Sequence, residues 1–93
     1  MNREIINKIE QILRQNQVKR AGVFGSYATE REGNESDIDI LVELSEENSL
    51  LDYIGLKLQL EDALNKKVDL VEYRTIKKAL QESILRSEKR IYG

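Results

Sequence analysis

The 93-residue sequence contains no cysteine and no histidine, and these two absences exclude whole classes of chemistry. Without cysteine, the chain has no disulfide bonds, no thiolate zinc site and no cysteine nucleophile. Without histidine, it has no Ser-His-Asp triad, no imidazole base and no histidine-ligated metal centre. Any reaction that the chain catalyses must therefore use carboxylates, hydroxyls, cations and bound metal ions.

Long apolar runs and linker segments are also missing from the sequence. No apolar stretch approaches the roughly 18–20 residues that a membrane span requires. The start, Met-Asn-Arg-Glu, has no apolar signal segment. No Pro- or Ser-rich linker divides the chain. We therefore expect a cytoplasmic protein without a membrane partner, folded as a single domain over residues 1–93.

The charges are numerous but nearly balanced. Lys and Arg number 15 and Asp and Glu number 17, which gives a formal net charge of −2. A broad nucleic-acid-binding surface is normally marked by clustered basic residues and a clear excess of positive charge. We therefore expect no sequence-specific DNA binding.

Hydrophobic periodicity and turn signals predict the order α-β-α-β-α-β-α. Asn2 is the predicted N-cap of the first helix, and Ser49 with Asp52 forms a predicted capping box before a later helix. Thr75 is the predicted cap of the last helix, which carries Ile76, Leu80, Ile84, Leu85 and Ile91. The first helix is predicted to end near residues 15–17, a short helix to cover about 27–32 after a Ser26 cap, and strands to cover 18–25, 37–44 and 68–73.

This order describes an α/β domain with a small mixed β-sheet of about three strands and covering helices. Strand-helix-strand crossovers favour parallel pairing, whereas the short element between the first two strands permits antiparallel pairing. The helix after Ser49 has its apolar positions at Leu50, Leu51, Ile54, Leu58 and Leu64. Near the end of the chain, Ile84, Leu85, Ile91 and Tyr92 provide more apolar surface than so small a sheet needs. Core packing is the first explanation for that surface, and partner docking is the second.

Asp37 and Asp39 are two residues apart on a predicted strand, so both side chains leave the same face. Their Cα atoms lie about 6–7 Å apart at the normal rise of a strand. Two like charges at that separation repel unless a cation lies between them, and oxygen ligands select Mg²⁺ or Mn²⁺. Asp69 becomes a third ligand if its strand lies beside this one. Taken singly, each acid is also explained as part of a solvated surface.

Gly25-Ser26 lies where a predicted strand stops and a helix can begin. Glycine allows a ligand to approach the backbone, and a helix N-terminus with a serine hydroxyl offers donors to a phosphate group. An ordinary capped turn explains the same pair. A phosphate-binding turn and a metal-binding carboxylate pair close to it together indicate a site for a nucleotide and a metal ion.

Gly25-Ser26, ten intervening residues and Asp37-Ile38-Asp39 resemble the signature of the DNA polymerase β nucleotidyltransferase superfamily. The run GSYATEREGNESDIDILVEL, with VDLVE at residues 68–72, is similar to the minimal nucleotidyltransferase (MNT) group. The resemblance implies the nucleotidyltransferase fold in a stand-alone domain. Such domains often pair with a HEPN-domain ribonuclease as a toxin–antitoxin system.

The resemblance also implies a role for each candidate residue. Gly25 and Ser26 would hold the β- and γ-phosphates of a nucleoside triphosphate, ATP in the first instance. Asp37 and Asp39 would coordinate two Mg²⁺ ions, and Asp69 would share the metal next to the attacking hydroxyl. The product would be a HEPN toxin adenylylated on a tyrosine hydroxyl, with release of pyrophosphate and loss of ribonuclease activity.

Two other interpretations remain open. Family members often carry Arg-Gly after the position of Ala28, whereas this chain has Thr29-Glu30 followed by Arg31. A non-catalytic antitoxin that neutralises its toxin by binding alone would tolerate that departure. Transfer to a small molecule is the third interpretation, although a chain of 93 residues leaves little room for a substrate-binding domain.

Overall fold

Helices and strands alternate along the chain in the computed structural model, which describes residues 3–24 and 38–93. The helices are α1 (Arg3–Gln15), α2 (Leu50–Leu64) and α3 (Lys78–Ser87), with a short 3₁₀ helix at Tyr73–Thr75. The strands are β1 (Arg20–Phe24), β2 (Ile38–Glu43), β3 (Val68–Glu72) and β4 (Lys89–Tyr92). The predicted Asn2 cap and the predicted helix at 27–32 lie outside the described residues. No helix within the described ranges is long and apolar enough to cross a membrane.

The strands form one mixed sheet in the order β3-β2-β1-β4. Strand β2 pairs antiparallel with β1 and parallel with β3, and α2 provides the crossover between the two parallel strands. The predicted mixed α/β fold is therefore confirmed, and the first two strands pair antiparallel, an arrangement that the sequence left open. The described part of the sheet has four strands, however, and not about three.

The extra strand β4 corrects the prediction for the end of the chain. The last helix ends at Ser87, so Ile91 lies on β4 and not on a helix. Strand β4 pairs antiparallel with β1, and the Tyr92 hydroxyl donates a hydrogen bond to the Val18 carbonyl at 2.6 Å. The backbone groups at the free edge of β1 require partners, and pairing with β4 supplies them.

The predicted cap at Thr75 is also wrong. Thr75 ends the 3₁₀ helix, and its hydroxyl donates to the Glu72 carbonyl at 2.9 Å. Helix α3 begins later, at Lys78, and its N-cap residue Lys77 makes no side-chain capping bond. A threonine hydroxyl can satisfy the backbone of a preceding turn as well as cap a following helix, and sequence alone does not separate the two.

The predicted capping box of α2 is confirmed. The Ser49 hydroxyl accepts from the Asp52 amide at 3.2 Å, and the Asp52 carboxylate accepts from the Ser49 amide at 2.8 Å. The helix buries Leu56 and Leu60 against the sheet. Most of the apolar positions that the sequence singled out on this helix are exposed, as described below.

Helices α1 and α2 pack against one face of the sheet and form the main core with it. From β2, Ile38, Ile40 and Val42 belong to this core. Because side chains alternate along a strand, Asp39, Leu41 and Glu43 project from the opposite face. The other members of the core are Ile9, Ile12, Leu13, Val18, Ala21, Val23, Leu56, Leu60, Val68 and Leu70.

Candidate active site

Strand β2 fixes the position of Asp39. Its neighbours Ile38 and Ile40 are fully buried in the core under the helices. Since successive side chains point to opposite faces, Asp39 lies on the face that α1 and α2 do not cover, where it is half-buried. The burial of Ile38 and Ile40 thus places one carboxylate on the other face of the sheet. We call this the open face because α1 and α2 do not cover it, although Leu41 on the same face is fully buried.

Strand β3 places a second carboxylate beside the first. Asp69 lies directly opposite Asp39 in the parallel register of β2 and β3. Neighbouring strands are about 4.8 Å apart, so the two side chains leave the same face side by side. Asp69 is exposed, while Val68 and Leu70 on either side of it are buried. The sequence predicted this neighbourhood on the condition that the two strands pair, and the structure shows that they do.

The pair of carboxylates suits a hard divalent cation. Two like charges on one face repel, and a cation between them removes that cost. Mg²⁺ is typically bound by one or two carboxylates together with water and substrate phosphates, and the two carboxylates of Asp39 and Asp69 fit that number. Across residues 3–24 and 38–93, no group of three His, Cys, Asp or Glu side chains could hold a metal ion. The other predicted site residues, Gly25, Ser26 and Asp37, lie outside the described residues.

The hydroxyl of Tyr53 on α2 lies close enough to Asp69 and Glu72 for their negative charges to affect its pKa. It donates to the Leu70 carbonyl. Burial raises the pKa of Tyr53, and the negative charges of Asp69 and Glu72 raise it further. The phenol therefore stays neutral at physiological pH.

At the far end of the open face, an aromatic and ionic cluster joins β4 to the sheet. The Arg20 guanidinium lies 4.0 Å from the Tyr73 ring centroid and bonds to Glu43 at 3.1 Å. The Tyr73 hydroxyl donates to Glu88, which also pairs with Arg90 at 3.2 Å. Burial and the hydrogen bond to Glu88 raise the pKa of Tyr73. These contacts hold the start of β4 against the end of the sheet that lies away from the carboxylates.

Gly22 allows that cluster to form. A Cβ atom at this position would lie only 2.7 Å from the Cγ atom of Glu88. A larger residue would therefore require the Glu88 side chain to move from this position. Sequence reasoning did not find this cluster. The alternation of β2 places Glu43 on the open face, but no short motif links it to Glu88, which lies 45 positions later.

The family model described as polymerase beta, nucleotidyltransferase matches residues 7–93. A protein of Methanocaldococcus jannaschii, provisionally named a protein adenylyltransferase, is 50% identical over 82 residues that cover 88% of each chain. The protein adenylyltransferase MntA of Thermococcus cleftensis is 42% identical over 69 residues, which cover 74% of this chain and 70% of that protein. The similarity therefore extends over most of the chain and most of these relatives.

Solved structures share the same fold. A chain of a toxin–antitoxin crystal structure with AMP-PNP superposes with a TM-score of 0.83 at 31% identity, covering 95% of this chain and 73% of that one. A chain of the complex between tri-AMPylated Shewanella oneidensis HEPN toxin and its MNT antitoxin gives 0.78 at 29% identity, covering 100% and 73%. A structure described as a minimal nucleotidyltransferase gives 0.83 at 34% identity, covering 94% and 89%.

Proposed function

Because this chain belongs to the polymerase beta nucleotidyltransferase family, we propose that it is a protein adenylyltransferase and the antitoxin of a HEPN-domain toxin. In this proposal it transfers AMP from ATP to a tyrosine hydroxyl of the toxin. The observation that carries the proposal is the register of Asp39 with Asp69 on the open face of the sheet. Residues 1–93 would act as one nucleotidyltransferase domain in the cytoplasm, where ATP and Mg²⁺ are available.

The carboxylates support this chemistry directly. Asp39 and Asp69, with Asp37 from outside the described residues, would hold Mg²⁺, and Gly25-Ser26 would bind the triphosphate. Bound Mg²⁺ supplies charge neutralisation on the phosphates and lowers the pKa of an attacking hydroxyl. The exposed position of Asp69 allows it to accept the hydroxyl proton at its carboxylate oxygen.

The bonding changes in the proposed step balance without any further reactant. The tyrosine oxygen forms a bond to the α-phosphorus of ATP. The bond from that phosphorus to the oxygen bridging the α- and β-phosphates breaks, and pyrophosphate leaves with its electron pair. The hydroxyl proton passes to a carboxylate and then to solvent. No histidine is needed, because positioning and charge stabilisation account for most of the catalysis of phosphoryl and nucleotidyl transfer.

The relatives support both parts of the proposal. One relative carries the name of a protein adenylyltransferase, and one structural neighbour is an MNT antitoxin in complex with a HEPN toxin that carries AMP groups. The similarity of the present chain to both makes the same activity and the same class of partner the best-supported assignment.

The proposal is tested by isotope transfer. The purified chain is incubated with Mg²⁺, ATP labelled at the α-phosphorus and the HEPN-domain protein encoded in the same genome. We expect label on the HEPN protein, none when the label is at the γ-phosphorus, and none with Asp39→Asn. An unlabelled HEPN protein in every reaction would contradict the enzymatic proposal. If Asp37→Asn with Asp39→Asn still protected cells from the toxin, neutralisation by binding alone would be the better account.

A further inference from the structure

The sheet holds Asp39 and Asp69 in place to different extents. Strand β2 lies inside the sheet, so Asp39 is fixed by pairing with β1 on one side and with β3 on the other. Strand β3 is at one end of the sheet order, so in the described part of the sheet Asp69 has a neighbouring strand on one side only. An edge strand presents unpaired N–H and C=O groups on its outer side. A carboxylate on such a strand needs other contacts to keep it in a fixed position.

The backbone on both sides of Asp69 points its polar groups to this outer side. The Lys67 carbonyl accepts from the Ile38 amide of β2 at 3.0 Å. In a trans peptide the carbonyl and the following N–H point in opposite directions, so the Val68 amide points away from β2. Leu70, two residues further along the strand, repeats this orientation. The residues directly before and after Asp69 therefore both require partners outside the sheet.

Helix α2 provides both partners. The Val68 amide donates to the Glu61 carboxylate at 3.0 Å, and the Tyr53 hydroxyl donates to the Leu70 carbonyl. Both α2 side chains are half-buried. Burial raises the pKa of Tyr53, so its hydroxyl keeps the proton that it donates. We call these two contacts the flanking bonds, because they hold the residues on either side of Asp69.

The course of α2 explains how one helix makes both flanking bonds. The helix leads from the end of β2 to the start of β3, so it lies antiparallel to β3. Tyr53 near the start of the helix therefore contacts Leu70, and Glu61 near its end contacts Val68. Tyr53 and Glu61 are eight positions apart, a spacing that places two residues on the same side of a helix.

We propose that Tyr53 and Glu61 are positioning residues of the metal site, which hold Asp69 beside Asp39 at the separation that a divalent cation requires. Because the two carboxylates repel each other, an edge strand fixed on one side only would move away before the cation binds. Residues that position metal ligands through hydrogen bonds typically change metal affinity about 10–100-fold when they are replaced. This inference rests on the proposed metal-dependent adenylyltransferase function and deepens it.

Mn²⁺ binding in the presence of a non-hydrolysable ATP analogue, followed by electron paramagnetic resonance, tests the assignment. Tyr53→Phe with Glu61→Ala should raise the dissociation constant for Mn²⁺ at least about tenfold. The matched control is Thr75→Val, because the Thr75 hydroxyl donates a bond of the same kind to the Glu72 carbonyl, three residues beyond Asp69. This control should leave the dissociation constant within about twofold of the wild type. Circular dichroism confirms that each variant is folded.

Glu61→Gln separates the hydrogen bond of Glu61 from its charge. Glutamine keeps an oxygen that accepts from the Val68 amide but has no negative charge. The Mn²⁺ affinity should therefore stay within about twofold of the wild type in Glu61→Gln and should fall in Glu61→Ala. An equal loss in both variants would show that Glu61 acts only by attracting the cation, and its positioning role would be excluded.

A double-mutant cycle shows whether Tyr53 acts through Asp69. Tyr53→Phe should weaken Mn²⁺ binding in the wild-type background. In an Asp69→Asn background, it should cause no further loss of the weaker binding that Asp39 retains. A role in general stability predicts the same loss in both backgrounds, and that result would overturn the assignment. Undiminished binding by Asp69→Asn alone would overturn it as well, because Asp69 would then not be a ligand.

Metal binding and AMP transfer are measured separately, so the two proposals can fail separately. If the Mn²⁺ results are as expected while the wild type transfers no label to the HEPN-domain protein, the positioning assignment stands and the adenylyltransferase proposal fails. Equal Mn²⁺ affinities of the wild type and of the variant Tyr53→Phe with Glu61→Ala would overturn the positioning assignment, whether or not label is transferred.

Discussion

The two faces of the sheet carry different kinds of side chain. On β2, Ile40 is fully buried beneath α1 and α2, while Asp39 next to it lies half-buried on the open face. On β3, Leu70 is buried and the adjacent Asp69 is exposed. The face under α1 and α2 is packed throughout, and the other face holds two carboxylates in register at one end and the fully buried Leu41 further along β2. On each strand, a core residue and a carboxylate of the candidate site are thus neighbours in the sequence.

The largest expected effect comes from removing one charge on the open face. Asp39→Asn should lower AMP transfer at least about 100-fold, because it removes a proposed metal ligand. The free energy of unfolding, measured in urea, should change by less than about 0.5 kcal/mol, since asparagine keeps the shape of the side chain and leaves the core intact. A large loss of stability would show that the two faces are not separate in function.

A substitution on the packed face should lower stability and leave activity intact, the reverse of the effects of Asp39→Asn. Leu70→Ala, one residue from Asp69, should lower the free energy of unfolding by about 2–5 kcal/mol, because it leaves a cavity in the core. The fraction that remains folded should still transfer AMP. Urea unfolding measures the first effect, and a transfer assay normalised to folded protein measures the second. A folded variant without activity would contradict the division.

A smaller effect is expected at the start of the helix that covers the packed face. Ser49→Ala removes the hydroxyl that accepts from the Asp52 amide, and it should cost about 1 kcal/mol of stability. Ser83→Ala on α3 is a control that removes a serine hydroxyl without removing this capping bond. Equal stabilities of the two variants would show that the capping box contributes nothing measurable.

The smallest predicted effect is the pH dependence of stability, to which tyrosines on both faces contribute. Burial raises the pKa values of Tyr53 and Tyr92 beside the packed core and of Tyr73 on the open face. A tyrosine whose pKa is higher in the folded state binds its proton more tightly there, so its contribution to stability is complete below pH ~10 and decreases above it. Stability should therefore be insensitive to these groups up to about pH 9 and should fall from about pH 10 upward. Absorbance at 295 nm, which follows phenolate formation, should rise only as unfolding begins in a Tyr27→Phe variant, in which these three are the remaining tyrosines. Early phenolate formation in that folded variant would contradict this.

Local and periodic features of the fold were predictable from the sequence. The capping box at Ser49 depends only on residues within one helical turn, and the alternation of β2 places Asp39 opposite Ile40 whatever its neighbours are. The register of Asp39 with Asp69 needed the additional condition that the strands pair, because it joins residues 30 positions apart.

Features that depend on distant partners were not predictable. Ile91 fits a helical pattern as well as a strand pattern. In the structure it lies on β4, which pairs with the edge of β1. On α2, the sequence marked Leu50, Leu51 and Leu58 as apolar, but only the packing of Leu56 and Leu60 shows that these three face outward. Apolar residues on an exposed helix side have the same composition as those of a core, so the sequence alone does not separate the two.

Electron paramagnetic resonance of Mn²⁺ tests most directly whether the open face holds a divalent cation with a nucleotide. The wild-type chain is titrated with Mn²⁺ in the presence of a non-hydrolysable ATP analogue, beside the double variant Asp39→Asn with Asp69→Asn. Saturable loss of the free Mn²⁺ signal with the wild type, and none beyond that of the analogue alone with the folded double variant, is the predicted result. Equal Mn²⁺ binding by both chains would show that these carboxylates are not the metal site.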